Sequence, residues 1–291
     1  MPYEFAAAVM QWQEEGFALV EGLVPSDDID ATADEIERLY REDTFEDYNR
    51  ASKYGDGTPV GKQFRGSQFD GMRGFPLQGC PHLNDLFVHP RVVEFARHAL
   101  EDDDLRIYQG SVWGKWAGAV NYEQPIHQDG NHSLVPPRLE PGVWHMETFL
   151  YLSDVDEDCA PPAVVPRRAS HVEYNDLYNH EQLATAKRGS LLAYRSDVWH
   201  RGTDFTRADA SRFVLNVSFR PAAAEWFSYD AFGRLGNNWI FAKFVEGKSP
   251  DDLALFGVPR PGHAYWNTAM VDAMEQKYPG LDMTPWRAAF D

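Results

Sequence analysis

The sequence predicts a mainly β protein with flanking helices, folded as a jelly-roll barrel. Three observations carry this. Between residues 105 and 220 six short segments (LRIYQGSVW, GAVNYEQPIHQD, VWHMETFLYL, PAVVP, GSLLAY and RFVLNVSFR) read as strands split by Pro-, Gly- and Asp-rich turns. The strands are grouped after a run of helices and do not alternate with them, which argues for antiparallel sheets over a parallel α/β sheet. A set of short antiparallel strands of this length buries its edges best as a jelly roll.

The remaining elements follow in chain order. The opening MPYEFAAAVMQWQEEGF is amphipathic, and Gly16 to Gly22 reads as a short strand. Pro25-Ser26-Asp27-Asp28 looks like a helix start, with Ser26 as cap and two acids at the positive end of the helix dipole. The helix carries Ile29, Ala33, Ile36 and Tyr40 on one stripe. Residues 43–80 lack sustained periodicity and read mostly as loop, a length more often functional than inert. His89-Pro90-Arg91 opens a second helix, with Pro90 at its first position and Val92, Phe95, Ala96 and Ala99 facing inward. After the strands, residues 225–291 are aromatic-rich and turn helical around Trp266 to Lys277, as a cap on the barrel. No linker, repeat or low-complexity tract marks a boundary, so residues 1–291 are expected to form a single domain with its barrel core at about 105–220.

Charge and composition exclude several functions. With 27 Lys+Arg against 45 Asp+Glu the formal charge is -18, and no basic cluster exists to neutralise phosphates, which disfavours nucleic acid and anionic membrane. Apolar residues make up 43 % of the chain, enough for a full core, yet no run approaches the roughly 20 needed to span a bilayer. The amino terminus lacks a basic patch followed by an apolar stretch, so a cytoplasmic location is expected. Cys80 and Cys159 are the only cysteines, which leaves no disulfide framework and no thiolate metal site.

The chemistry concentrates in Gln124-Pro125-Ile126-His127-Gln128-Asp129. On a strand, residues two apart share a face, so His127 and Asp129 present an imidazole and a carboxylate to one point. About 70 residues later His200 can supply a second imidazole from an adjacent strand. Two His and one carboxylate that leave coordination positions open form the ligand set of non-haem Fe(II) oxygenases, where the open positions receive a co-substrate and dioxygen. The segment Ser211 to Phe219 alternates: Phe213, Leu215, Val217 and Phe219 share one face, and Arg212, Val214, Asn216 and Ser218 the other. Arg212 on that mixed face suits a carboxylate through its bidentate fork, and Thr203 is a candidate hydroxyl donor to the same group.

These residues, with the stretch Pro161-Pro162-Ala163-Val164-Val165-Pro166 ending in Ser170-His171 and the opening Glu14 to Val24, resemble the phytanoyl-CoA dioxygenase (PhyH) family over roughly residues 10 to 220. The resemblance implies a double-stranded β-helix, Fe(II) held by His127, Asp129 and His200, 2-oxoglutarate anchored by Arg212, and dioxygen-dependent oxidation of a small molecule with release of succinate and CO2. The chain departs from the family where Pro166-Arg167-Arg168-Ala169-Ser170-His171 replaces the usual Pro-Gly-Ser-His, and where Gly202 stands two positions beyond His200 in place of a hydroxyl residue. Related halogenases carry a small residue where Asp129 stands, so the carboxylate points to hydroxylation or another oxidation.

Other readings stay beside this one. His145 and Glu147 form a rival pair two residues apart, read here as structural or as supporting polar groups. His171 reads as a loop anchor, His132 as a cavity or surface residue, and Asp197 as the residue that fixes the turn before His200. Arg65, Arg73, Arg167 and Arg168 read as solvated charges, Lys115 as a snorkelling side chain, and Trp226, Tyr229, Trp239 and Tyr265 as packing. Alternatives for the whole chain are a cupin-type metal enzyme that does not use 2-oxoglutarate and a non-catalytic binding protein on an oxygenase scaffold.

Overall fold

The computed structural model describes residues 5–40, 71–117, 123–129, 145–195, 197–230 and 232–289. Two antiparallel sheets face each other as a jelly roll, with helices against the outer face of the larger one. The strands are β1 (Phe17–Val20), β2 (Met72–Gly74), β3 (Leu105–Trp116), β4 (Glu147–Tyr151), β5 (Pro162–Val164), β6 (Gln182–Leu183), β7 (Leu191–Tyr194), β8 (His200–Gly202) and β9 (Ser211–Pro221). The large sheet has the order β1-β7-β4-β9-β3-β2 and the small one β6-β5-β8. The helices are α1 (Ala6–Glu15), α2 (Ser26–Asp30), α3 (Ala33–Leu39), α4 (Pro81–Leu86), α5 (Pro90–Leu100), α6 (Trp239–Phe244), α7 (Pro250–Ala254), α8 (Thr268–Lys277) and α9 (Thr284–Arg287). No helix among the described residues is long and apolar enough to cross a membrane.

The period-two pattern explains the large sheet. Leu215, Val217 and Phe219 of β9 join the main core with Trp12 of α1, Val92, Phe95 and Ala96 of α5, and Trp266 and Trp286 of the C-terminal segment. The opposite face of the same sheet supplies Val214, Leu192, Tyr194 and Tyr151 to a second cluster between the sheets. Both faces are therefore buried, and the polar residues on the second face have a special environment. α5 starts at Pro90 and buries the expected Val92, Phe95, Ala96 and Ala99. α1 ends at Gly16, whose φ of 82° lets its N–H reach the Trp12 carbonyl; a Cβ there would overlap the Val198 and Arg167 side chains.

Several expected elements differ. The single helix expected after Pro25 is two, because the Thr32 hydroxyl bonds back to the Ile29 carbonyl between α2 and α3. Ser26 is the first residue of α2 and makes no side-chain cap. Of the loop expected at 43–80, residues 43–70 lie outside the described residues, as do Arg65 and His132, and residues 72–74 form an edge strand on β3. The segment 123–129 is not a ladder strand: it is extended and joins the small sheet through an isolated bridge between His127 and His200. The short helices α4, α6, α7 and α9 have too few residues for periodicity to reveal, although α7 carries a complete capping box between Ser249 and Asp252.

Candidate metal centre

The bridge places the two histidines. His127 N–H donates to the His200 carbonyl and His200 N–H to the His127 carbonyl, both at 2.9 Å, and residues directly opposite in an antiparallel pair project to the same side. Their rings lie 4.5 Å apart between centroids. Residues 174–180, a 3-10 turn, hold the bridging segment in place of a longer ladder. Tyr174 donates its hydroxyl to the Ile126 carbonyl at 2.8 Å, and the Tyr178 hydroxyl accepts from Ile126 N–H at 3.1 Å. Ile126 is itself buried with Val165 and Leu177.

Asp129 completes the group. Its Oδ1 lies 3.8 Å from His127 Nε2 and its Oδ2 3.2 Å from His200 Nε2, with one donor atom from each of the three residues inside a 4.8 Å span. Each ring turns its other nitrogen to backbone: His127 Nδ1 lies 2.8 Å from the Pro125 carbonyl and His200 Nδ1 3.0 Å from the Val198 carbonyl. A carbonyl accepts only, so Nδ1 carries the proton and Nε2 keeps a lone pair for a metal. This tests the donor set, and it fits a divalent ion bound by two imidazoles and a carboxylate. Burial pushes the His200 pKa down, but the Asp129 carboxylate outweighs it and the net shift is upward.

The loop before His200 is stiffened by buried charge. Asp197 pairs with Arg195 at 2.9 Å and Arg167 at 3.0 Å, while its backbone carbonyl accepts from Gln128 at 2.6 Å. Asp197 thus holds the turn through side-chain ion pairs and not through the local hydrogen bonds to backbone that its position suggests, and its carbonyl ties the turn to the residue between the two members of the His127–Asp129 pair. Arg167 is part of this network and not a solvated charge, and Arg168 pairs with Glu15. Arg73 is likewise buried, over the Tyr40 ring. His171 is exposed.

The triad opens into a cavity of about 310 Å³ between the sheets. Arg212 lines it, buried, with Nη1 donating to the Ala160 carbonyl at 2.7 Å. Lys115 stands opposite Arg212 in the β3–β9 register, buried and not snorkelling, and donates to the Thr203 carbonyl. Burial and the Arg212 charge bring its pKa down to about 7. Thr203 is not brought to the site: its hydroxyl donates to the Pro161 carbonyl at 2.6 Å, and it is not part of the cavity wall. The expected hydroxyl donor is therefore corrected, because Thr203 lies one residue past the end of β8 and turns to backbone.

The rival pair separates. Glu147 lines the same cavity, and its carboxylate accepts from the hydroxyls of Tyr108 and Ser218. His145 precedes β4 and packs its ring 4.1 Å from Phe227. Gln109, Asn216 and Tyr194 also line the cavity, with Tyr194 donating to Asp129 at 3.2 Å. The mixed face of the β9 segment carried this signal in Asn216 and Ser218. Of the expected aromatic packing group, Tyr229 reaches the cavity, whereas Trp239 and Tyr265 are exposed. In a second group, Asp156, Asp158 and Cys159, both carboxylates pair with Arg207 and the thiol donates to Asp158.

Fold and site together define a two-sheet β barrel with a His-Asp-His group on its inner wall. The chain belongs to the phytanoyl-CoA dioxygenase (PhyH) family, which matches residues 12–213. Among curated protein sequences none matches it. Solved structures similar in fold include the non-heme alpha ketoglutarate dependent epimerase SnoN from nogalamycin biosynthesis (TM-score 0.55, 14 % identity, 75 % of this chain and 83 % of that one). They also include HygX from Streptomyces hygroscopicus (0.54, 13 %, 76 % and 88 %) and AviO1 from Streptomyces viridochromogenes Tue57 (0.52, 16 %, 77 % and 98 %).

Proposed function

We propose that the chain is an Fe(II)- and 2-oxoglutarate-dependent oxygenase that hydroxylates a small molecule, working as one domain. The observation that carries this is the convergence of His127 Nε2, His200 Nε2 and the Asp129 carboxylate at the wall of a cavity that also holds Arg212. Family membership supports it. So do the related folds: SnoN has been seen with Fe3+ and alpha ketoglutarate, and HygX with iron.

When bound, iron supplies the means to oxidise an unactivated C–H bond: substrate, dioxygen and 2-oxoglutarate become alcohol, succinate and CO2. The chain's part is to bind, orient and exclude water. His127, Asp129 and His200 would hold the metal. Arg212 receives the distal carboxylate of 2-oxoglutarate, and the apolar Val214, two residues along the same face of β9, lines the cavity with Leu192 and Phe149 and limits water there. Tyr194, whose burial and proximity to Asp129 keep its hydroxyl protonated, donates to Asp129 and fixes the carboxylate rotamer. The presence of Asp129, where a halide would need space, favours hydroxylation. SnoN is an epimerase and SnoK a carbocyclase, so the outcome must be read from the product.

The test is an anaerobic titration with Fe(II) and then 2-oxoglutarate, following the visible charge-transfer band of the chelate in wild type and Arg212→Ala. A band that weakens in the variant supports metal, co-substrate and anchor together. Iron binding without a band favours a cupin-type metal enzyme, and no iron binding favours a binding protein.

A further inference from the structure

Asn216 of β9 lines the cavity and is 3 % exposed. Its amide is locked in one orientation. Nδ2 donates to the Thr148 backbone carbonyl at 3.1 Å, and a carbonyl only accepts, so the nitrogen and not the oxygen must face that group. The second hydrogen on Nδ2 faces the Ser218 hydroxyl oxygen at 3.5 Å. Ser218 has a single proton and directs it to the Glu147 carboxylate, a closer acceptor than Gln109 at 3.5 Å, so its oxygen accepts from Asn216. Both hydrogens of the amide are therefore used. The remaining atom, Oδ1, is buried and has no hydrogen-bond partner among the described residues.

A buried acceptor without a partner is costly, and folded proteins seldom keep one without a use. The neighbours across the strands do not supply the bond. Directly opposite Asn216 stand Phe149 of β4, which has no polar side-chain atom, and Ser111 of β3, whose hydroxyl lies against the Trp113 indole N–H at 2.7 Å. Nor does the co-substrate: at neutral pH 2-oxoglutarate carries two carboxylates and a ketone, all of them acceptors, and its anchor Arg212 is four residues away along β9, roughly 13 Å at the rise of a strand. Among the metal ligands, both imidazole N–H groups are turned to backbone carbonyls. The substrate is left as the partner, and what it must bring is a hydrogen on oxygen or nitrogen.

We infer that Asn216 Oδ1 accepts a hydrogen bond from a hydroxyl or N–H of the substrate, so that the enzyme selects molecules carrying such a donor over analogues in which it is oxidised or methylated. This rests on the oxygenase reading for the role of Arg212. An Asn216 present only to hold β9 to the Thr148 carbonyl, or one whose Oδ1 is met by a water that stays in place, would show no such selectivity.

The experiment is anaerobic calorimetry on the Fe(II)- and 2-oxoglutarate-loaded protein with two matched pairs of probes: cyclohexanol against cyclohexanone, and δ-valerolactam against its N-methyl derivative. In at least one pair the donor should bind about tenfold or more tightly than its partner, and the pair that does so tells hydroxyl from N–H. Asn216→Leu, close in shape but without the acceptor, should lose the preference, and Val214→Ala, two residues along the same face, should retain it. Equal binding within both pairs by wild type, no binding of either donor, or a preference that survives in Asn216→Leu each overturns the inference. Should Asn216→Leu fail to fold, Asn216→Ala takes its place: the preference must be lost there, and its survival counts against the inference. A fall in melting temperature with the donor preference intact would assign Asn216 to the Thr148 bond alone and overturns it too. The chelate band, recorded in the same samples, separates the two readings. A band without donor preference removes this inference alone, and a donor preference dependent on Asn216 without a band keeps it while removing the oxygenase reading.

Discussion

The two sheets face one cavity but are built differently. The large sheet contributes Arg212, Asn216, Glu147 and Tyr194 from strands of up to 11 residues, paired on both sides and packed on both faces. The small sheet contributes His200 from a three-residue strand, and His127 and Asp129 from a segment tied to it by the His127–His200 bridge and by the bonds between Gln124 and Gly202. Its rigidity comes from elsewhere: the Asp197 ion pairs, the Tyr174 and Tyr178 clamps on Ile126, and the pairing of Arg201 with Glu181. A metal site needs short elements that leave coordination positions open, whereas recognition of a carboxylate needs fixed spacing, which strands paired on both sides provide. Function should therefore fail by unfolding when the large sheet is cut and by local loosening when the small one is.

The largest expected effect tests the first half. Phe219 is fully buried in β9, within the main core. Phe219→Ala should cost about 3–5 kcal/mol by chemical denaturation, and iron binding should fall only with the folded fraction. Asp129→Ala makes the converse test: iron retention in anaerobic equilibrium dialysis should drop by more than about 100-fold, beyond what loss of a supporting group costs, while the melting temperature changes little. A large loss of stability in Asp129→Ala would show that the small sheet depends on the triad for its fold.

This contrast also separates what was legible in the sequence from what was not. The convergence of His127, Asp129 and His200 is readable because two ligand types stand two residues apart and a third follows about 70 residues later, and the place of Arg212 on the cavity wall because it falls on the mixed face of an alternating strand. The strands of the large sheet are readable for the same reason, since burial imposes period two. Glu147 reads from the sequence only as a structural or supporting polar group, because its donors Tyr108 and Ser218 come from two other strands and only the register brings them together. Its separation from His145 also depends on β4 starting at Glu147, with His145 before it turned toward Phe227. Thr203 failed because a single residue past a strand end decides whether a hydroxyl faces cavity or backbone. Clamps such as Tyr174 on Ile126 join residues 48 apart and leave no local pattern.

A smaller effect sharpens the claim about the small sheet. Asp197→Asn keeps shape but removes the charge that holds Arg195 and Arg167 beside the loop leading to His200. Both guanidiniums lose an anionic partner, and the loop that aims the imidazole gains freedom. Iron affinity should fall about 10–100-fold, as for loss of other groups that orient a ligand, with the chelate band still forming at higher iron. Unchanged affinity would mean that the backbone bridge alone positions His200.

The smallest effect comes from the same chemistry without burial. Asp104 binds Arg106 of β3 and Arg260 of the C-terminal segment, but its side chain is 48 % exposed. Partial burial pushes its pKa up, while the two guanidiniums outweigh that and leave it below the usual carboxylate range. Because solvent screens such pairs, Asp104→Ala should cost about 1 kcal/mol or less at neutral pH. The sign with pH is fixed: a depressed folded-state pKa gives stability that is present above the ordinary carboxylate range and is lost as pH falls through the folded value. Denaturation curves of wild type and Asp104→Ala should therefore differ slightly at pH 7 and converge in acid, with iron binding unaffected throughout. A difference that persists in acid would place the contribution of Asp104 in packing and not in charge, and would make burial a poor guide to which ion pairs stiffen this fold.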